Sequence, residues 1–253
     1  MTIAVNDLTK SFTVGRGARR SCVEAVAGIS LNVDRGERLA FIGPNGAGKS
    51  TSIKMLTGIL YPSSGDAHVL GYVPWKERKQ LARRIGSLFG QRSQLWSELT
   101  PRQSFRMLGA IFEIDKVRLQ HRIDELGELL DANDLFDVSV RHHSLGQRMR
   151  CELAATMLHE PEILFLDEPT IGLDLLGKQL FRELIVRVNE EQTTTVFLTS
   201  HDVADIESVA QRVVVINHGR VIHDSPVAAM RSISATDSLE TIIAAIYSRA
   251  APQ

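Results

Sequence analysis

Apolar and polar residues alternate along two stretches near the start of the chain, residues 3–12 and 23–33. This two-residue period predicts half-buried strands. The basic, glycine-containing segment between them, residues 15–20, favours a solvated hairpin turn, with a contact to phosphate or lipid as the alternative. A short apolar run at residues 38–42 predicts a buried strand, and residues 49–56 predict a helix. The chain therefore opens with a β-rich region followed by strand, loop and helix.

The period becomes helical near residue 101 and returns to strands after residue 160. Apolar residues recur at helical spacing in two stripes, Phe105, Leu108, Ile111 and Phe112 in one, and Ile123, Leu126, Leu129 and Leu130 in the other. Four strands are predicted downstream, at residues 163–166, 195–199, 213–216 and 221–222. The last two are joined by a tight turn at His218 and Gly219. Because strands separated by helices form mainly parallel sheets, the fold class is α/β with an N-terminal antiparallel β region and an inserted helical lobe.

The end of the chain predicts an amphipathic helix. Its apolar residues at helical spacing are Leu239, Ile242, Ile243, Ile246 and Tyr247. We expect this helix to pack on the same core, with docking to a partner as the alternative. The predicted organisation is one domain, with a core of residues 1–90 and 160–225, a helical subdomain of residues 92–158 and a helical tail of residues 226–253.

Composition and charge narrow the choice of function. The 29 basic and 30 acidic residues give a net charge of −1, so we expect no nucleic-acid partner and no electrostatic attachment to an anionic bilayer. Cys22 and Cys151 are too few for a disulfide scaffold, which fits a reducing cytoplasm. No apolar run reaches the ~18 residues that a membrane span needs, and the first residues carry no anchor pattern. Any membrane role is expected to come through another subunit.

A glycine-rich loop between the predicted strand and helix carries the first candidate chemistry. It reads Gly43, Pro44, Asn45, Gly46, Ala47, Gly48, Lys49, Ser50, and then Thr51. This order matches the phosphate-binding P-loop, in which glycines let backbone N–H groups converge on phosphate oxygens at a helix N-terminus. Lys49 would neutralise the β- and γ-phosphates, and the Ser50 hydroxyl would ligate Mg²⁺. A merely flexible glycine turn is the weaker alternative.

Two carboxylates follow the apolar strand at residues 163–166, at the edge where open α/β sheets bind ligands. An acid at the end of a buried strand is common and is weak evidence alone. Downstream of a P-loop it becomes specific: Asp167 can hold Mg²⁺ through water, and Glu168 can orient or deprotonate the attacking water.

One further segment precedes the acid pair and reads Ser144, Leu145, Gly146, Gln147 and Arg148. With it, the chain resembles the ATP-binding subunits of ABC transporters over nearly its whole length. The segment is similar to the ABC signature, usually Leu-Ser-Gly-Gly-Gln, with His143 in place of the Leu and Leu145 in place of the first Gly. The resemblance implies a P-loop NTPase (RecA-like) core, ATP and Mg²⁺ as ligands, and ATP hydrolysis. It also implies that Ser144 and Gly146 face the γ-phosphate of ATP on an opposing subunit.

The same resemblance implies roles for four other residues. Gln91 is similar to the glutamine that joins Mg²⁺ and communicates with the membrane subunit, and Asp174 to the aspartate at the dimer seam. His201 is similar to the switch histidine that touches the γ-phosphate and positions Glu168. Phe12 is the candidate aromatic that stacks on adenine. Each alone has an ordinary alternative, a core histidine, a surface glutamine or a core phenylalanine, and the order of the whole set favours the family.

Trp96 lies on a segment that the family places beside the membrane subunit, where it could fill a pocket of that partner; an ordinary buried tryptophan is equally compatible. The amino-acid sequence of residues 91–96 and 144–153 also resembles that of the viologen-exporter-type branch of ABC-2 exporters.

The predicted function is therefore that of an ATP-hydrolysing subunit which powers transport, with export expected, through separate permease subunits. We expect it at the cytoplasmic face of the membrane, as a head-to-tail homodimer that encloses two Mg·ATP. Two alternatives are a soluble ABC ATPase acting on ribosomes or chromosomes, and an ATP-binding regulatory module without turnover. The single cassette and the short helical insert disfavour the first, and the presence of Lys49, Asp167, Glu168 and His201 disfavours the second.

Overall fold

The structure is a computed structural model that describes residues 1–14, 20–90, 93–233 and 238–249. The chain forms two compact units, one of residues 1–82 and 195–253 and the other of residues 83–194. The predicted turn at residues 15–20 falls almost wholly outside the described residues. The finer domain boundaries proposed from sequence stay a prediction.

Nine strands and nine helices are found in the described ranges. In chain order they are β1 (Ile3–Val14), β2 (Ser21–Val33), β3 (Arg38–Ile42), α1 (Lys49–Leu56), β4 (Ser64–Val69), α2 (Arg78–Ala82), β5 (Ile85–Phe89), α3 (Pro101–Ile111), α4 (Lys116–Leu129), α5 (Leu145–Met157), β6 (Ile163–Asp167), α6 (Leu175–Gln192), β7 (Thr195–Ser200), α7 (Val203–Val209), β8 (Arg212–Asn217), β9 (Arg220–Pro226), α8 (Val227–Ile233) and α9 (Leu239–Arg249). None of the described helices is long and apolar enough to cross a membrane.

The first unit contains an antiparallel sheet with the strand order β2-β1-β4. Ile3 of β1 lies opposite Val33 of β2 and Val69 of β4, and all three side chains are buried. Alternation places these apolar residues on one face, which is the reason that the period of two predicts strands here. The predicted N-terminal antiparallel region is confirmed.

The same unit contains the parallel strands β7, β3 and β8, and β9 runs antiparallel to β8. β3 is apolar and buried throughout its last four residues, as expected of a central parallel strand. Its last residue, Ile42, lies opposite Ser200 at the end of β7. The loop after β3 and the residue after β7, His201, therefore leave the sheet at the same edge.

The C-terminal helix α9 packs on this unit. Leu239, Ile242 and Ile243 are buried in one cluster with residues of β3, β8, α7 and α8, and Tyr247 packs at its edge. Burial raises the pKa of the Tyr247 hydroxyl to about 12. The expected packing of the tail on the core is confirmed.

The second unit contains the parallel pair β5 and β6 and the helices α3 to α6. Phe105 of α3 meets Phe136 edge to face, with the ring centroids 4.9 Å apart, and both are buried. The second predicted stripe is buried as expected, but Ile111 of the first stripe is 65% exposed. At 3.6 residues per turn, Ile111 lies about 120° around α3 from Phe105 and so falls outside the buried face, and the inclusion of Ile111 was wrong.

Candidate functional site

The glycine-rich loop joins β3 to α1 and passes so close to neighbouring backbone that glycine is required at two of its positions. A Cβ at Gly43 would lie 2.4 Å from the carbonyl oxygen of Ile216, and one at Gly48 would lie 2.4 Å from that of Ala25. Gly48 also has a φ of +108° at the helix N-cap. Nothing lies within 4 Å of the position that a Cβ on Gly46 would take. The loop is therefore tightly seated on one side and open at Gly46.

Lys49 folds its side chain back over this loop. Its Nζ donates to the carbonyl of Gly43 at 2.7 Å, and the residue is only 6% exposed. Ser50 follows in the first turn of α1, which carries no acidic residue. An ammonium group together with a helix N-terminus gives a positive potential, which suits a bound anion. The remaining loop positions, Pro44, Asn45, Ala47 and Thr51, range from exposed to buried.

A contact that sequence reasoning missed holds the loop from beneath. The N–H of Gly219, in the turn between β8 and β9, donates to the carbonyl of Ala47 at 3.0 Å, and the Gly219 carbonyl accepts from Ala27 at 2.8 Å. The sequence marks Gly219 only as a turn residue. No spacing rule connects it to a loop about 170 positions earlier.

The acid pair stands at the end of β6 in the second unit. The carbonyl of Asp167 accepts from the N–H of Gly90 at 2.9 Å, and Asp167 lies opposite Phe89 in the parallel pairing. Glu168 has a φ of +53°, a left-handed conformation that costs a non-glycine residue about 1–2 kcal/mol. Strain at a residue of this type is common at functional sites. The turn continues with the N–H of Ile171 donating to the Glu168 carbonyl at 3.4 Å.

His201 is exposed and directly follows β7. Two hydrogen bonds of the Ser200 hydroxyl fix the backbone on both sides of it: the hydroxyl donates to Asp205 at 2.6 Å, a buried bond, and accepts from the N–H of Asp202 at 3.0 Å. Asp202 also caps α7 by accepting from Ala204 at 3.0 Å. The histidine is therefore presented on a rigid corner.

The signature-like segment begins α5 in the second unit. Ser144 is the N-cap, and it forms a reciprocal capping box with Gln147. Ser144 and Leu145 are exposed, and space is open around Gly146. A groove of about 380 Å³ is lined by these residues and by Asp174, the N-cap of α6. The structure thus brings together all five residues that the resemblance assigns to the trans contact and the dimer seam.

Three other predicted positions have different outcomes. Phe12 is 37% exposed near the end of β1, with the Lys10 ammonium 5.2 Å from its ring centroid, so the core alternative is wrong for it. Trp96 is 39% exposed, so it is not an ordinary buried tryptophan. Gln91 lies outside the described residues.

The comparisons with known proteins agree with this set of segments. Residues 26–171 match the family model described as ABC transporter. The chain is 30% identical over 240 residues to the ABC transporter ATP-binding protein NatA of Bacillus subtilis, covering 95% of this chain and 96% of that protein. It is 36% identical to the daunorubicin/doxorubicin resistance ATP-binding protein DrrA of Streptomyces peucetius, covering 89% of this chain and 68% of that protein.

A solved structure of an ATP-binding subunit of an ABC transporter superposes with a TM-score of 0.80 at 25% identity, covering 98% of this chain and all of that one. The predicted fold class is thereby confirmed as that of an ABC ATPase cassette. The chain belongs to the ABC transporter family, as an ATP-binding, ATP-hydrolysing domain of a transporter.

Proposed function

We propose that this chain works as a peripheral subunit at the cytoplasmic face of a membrane, where it hydrolyses Mg·ATP to drive export through separate permease subunits. The observation that carries the proposal is the loop before α1. Gly43 and Gly48 are enforced by close backbone contacts, and Lys49 and the helix N-terminus concentrate positive charge on the loop.

The proposed roles follow from the chemistry of each side chain. Lys49 and the loop N–H groups bind the β- and γ-phosphates, and Phe12 stacks on the adenine ring. Ser50 and Asp167 offer hydroxyl and carboxylate oxygens, the hard donors that Mg²⁺ prefers, with Gln91 as a further proposed ligand. When bound, Mg²⁺ would neutralise charge on the phosphates.

Two residues are proposed to act on the reacting groups. Glu168 accepts a hydrogen bond from the attacking water and takes its proton, and its left-handed backbone sets the direction of its Cα–Cβ bond. His201 donates to the γ-phosphate from the corner that Ser200 and Asp205 hold in place.

We also propose that two copies pair head to tail. The groove at Ser144, Gly146 and Asp174 is open, and the family resemblance pairs this segment with the γ-phosphate of ATP on an opposing subunit. The exposed apolar residues beside the groove, Leu175 at 81% and Leu176 at 64%, would be buried in such a pair.

Export is favoured by the name of one relative, DrrA, which refers to daunorubicin/doxorubicin resistance. The viologen-exporter-type branch remains a prediction. Transport direction can be measured once the permease that co-purifies in mild detergent is reconstituted with this chain in vesicles.

The test of the nucleotide chemistry is Glu168→Gln, with Glu183→Gln on the exposed face of α6 as the matched control. We expect Glu168→Gln to lower kcat about 100-fold or more while ATP binding persists, because only the proton acceptor is lost. ATP-dependent dimers should then accumulate on gel filtration. Lys49→Ala should weaken ATP binding about tenfold, since it removes a charge-assisted contact. Undiminished turnover in Glu168→Gln, or no heat of Mg·ATP binding in the native chain, would overturn the proposal.

A further inference from the structure

A buried carboxylate in the second unit has no part in the chemistry proposed above. Glu152 lies on the inward face of α5 and is only 2% exposed, among apolar neighbours on the helix such as Leu153 and Met157. Glutamate is seldom buried without partners, because desolvation of its charge is unfavourable. The hydrogen-bond partners of Glu152 therefore indicate the role of this carboxylate.

Both carboxylate oxygens are bound by the segment that follows β5. The Ser93 hydroxyl donates to Oε1, and the backbone N–H of Gln94 donates to Oε2 at 2.9 Å. The Gln94 side chain strengthens the attachment by donating to Thr156, one turn further along α5, at 2.9 Å. Segment and helix are thus joined at three points.

The carboxylate also reaches the start of the same helix. Arg148 lies one turn before Glu152, and its Nε is 3.8 Å from Oε1. Arg148 stands in the first turn after the N-cap Ser144, which the proposed function places against a partner's nucleotide. On the other side, the chain continues from Gln94 through the buried Leu95 to Trp96, which is 39% exposed.

We propose that Glu152 is a positioning residue that makes the Trp96 segment and the signature helix move as one body. It rests on the proposed function, in which ATP engages Ser144. Occupancy at Ser144 then displaces α5, and the link through Glu152 displaces Trp96 with it. A permease helix seated on Trp96 would be moved by the same link.

The link can be broken or kept by the choice of substitution. Glu152→Ala removes both acceptors. Glu152→Gln keeps them in adapted form: its carbonyl accepts from the Gln94 N–H, and its amide donates to the Ser93 hydroxyl, which can rotate. Glu128→Ala, at an exposed glutamate of α4, is the matched control.

The readout is the emission of Trp96 in a Trp75→Phe background, where it is the sole tryptophan. Titration with Mg·ATP should change this emission in the background chain, in Glu152→Gln and in Glu128→Ala. In Glu152→Ala the change should fall about fivefold while the calorimetric Kd for ATP stays within about twofold. If Glu152→Ala does not fold, Ser93→Ala carries the same expectation.

The outcomes separate this inference from the proposed function. Absence of ATP binding in the background chain would overturn both. ATP binding with a full Trp96 response in Glu152→Ala, or with no response in any variant, would overturn the role of Glu152 alone. A Kd that weakens in parallel with the Trp96 response would also overturn it, because the residue would then be only a structural support.

Discussion

Replacement of Gly219 by alanine tests whether the β8–β9 turn supports the phosphate loop. Gly219 has a φ of +74°, and a Cβ there would lie 2.8 Å from the nitrogen of Ala27 and 2.9 Å from Cα of Val26. Gly71 is the matched control, since its φ of +83° is similar but nothing lies within 4 Å of its Cβ position. Both substitutions carry the left-handed penalty of about 1–2 kcal/mol. Only Gly219→Ala adds the cost of overpacking against backbone, about 1–3 kcal/mol.

The two variants therefore differ in stability for one reason. Loss of unfolded-state entropy on changing glycine to alanine is common to both and cancels in the comparison. Urea unfolding should show Gly219→Ala to be less stable than Gly71→Ala by about 1–3 kcal/mol. The Kd for ATP should rise about fivefold in Gly219→Ala only, because the turn can no longer donate well to Ala47, a bond of about 1 kcal/mol. Equal losses of stability with equal Kd values would refute the reasoning.

Three other predictions concern side chains outside the phosphate loop. Arg212 donates to both carboxylate oxygens of Asp224 at 2.6 Å, and its side chain is one-quarter exposed. Arg212→Ala should therefore lower the free energy of unfolding, measured by urea titration, by about 2 kcal/mol. An unchanged free energy of unfolding would contradict this. Burial lowers the pKa of His159 in the folded chain. The neutral histidine therefore contributes stability above the unfolded pKa near 6.5, and this contribution is lost as the pH falls below that value. The loss of unfolding free energy from pH 7.5 to 5.5 should be smaller in His159→Gln. Burial raises the pKa of Cys151 to about 12, whereas Cys22 is exposed, so maleimide at pH 7.5 should label one thiol per native chain by mass spectrometry.

The sequence predicts best those parts of the fold in which periodicity and breakers agree. β3 and α1 occupy the predicted residues 38–42 and 49–56, because an apolar run, a glycine loop and a helical pattern follow one another without ambiguity. β4 was not predicted, since its sequence, residues 64–69, mixes glycine, aspartate and histidine with two apolar positions. It is a strand because β1 supplies the pairing partner, which is a tertiary effect.

The candidate site likewise contains residues that the sequence predicts and residues that it does not. Motif positions such as Lys49 and Ser144 are recognisable from spacing, because glycines and caps have local causes. Supports such as Gly219, Asp205 and Glu152 are not recognisable from spacing. Gly219 and Glu152 act on segments that only the folded chain brings near them, and Asp205 acts through a short local bond that has no sequence signature. A buried glutamate in a helix looks, in sequence, like any exposed one.

These supports also explain how each functional segment keeps its shape. The phosphate loop accepts a hydrogen bond from Gly219. The corner at His201 donates one to Asp205, and the segment before Trp96 donates two to Glu152. Since every one of these bonds joins a functional segment to a neighbouring element of its own unit, substitutions that alter turnover without touching a motif should concentrate at these three residues.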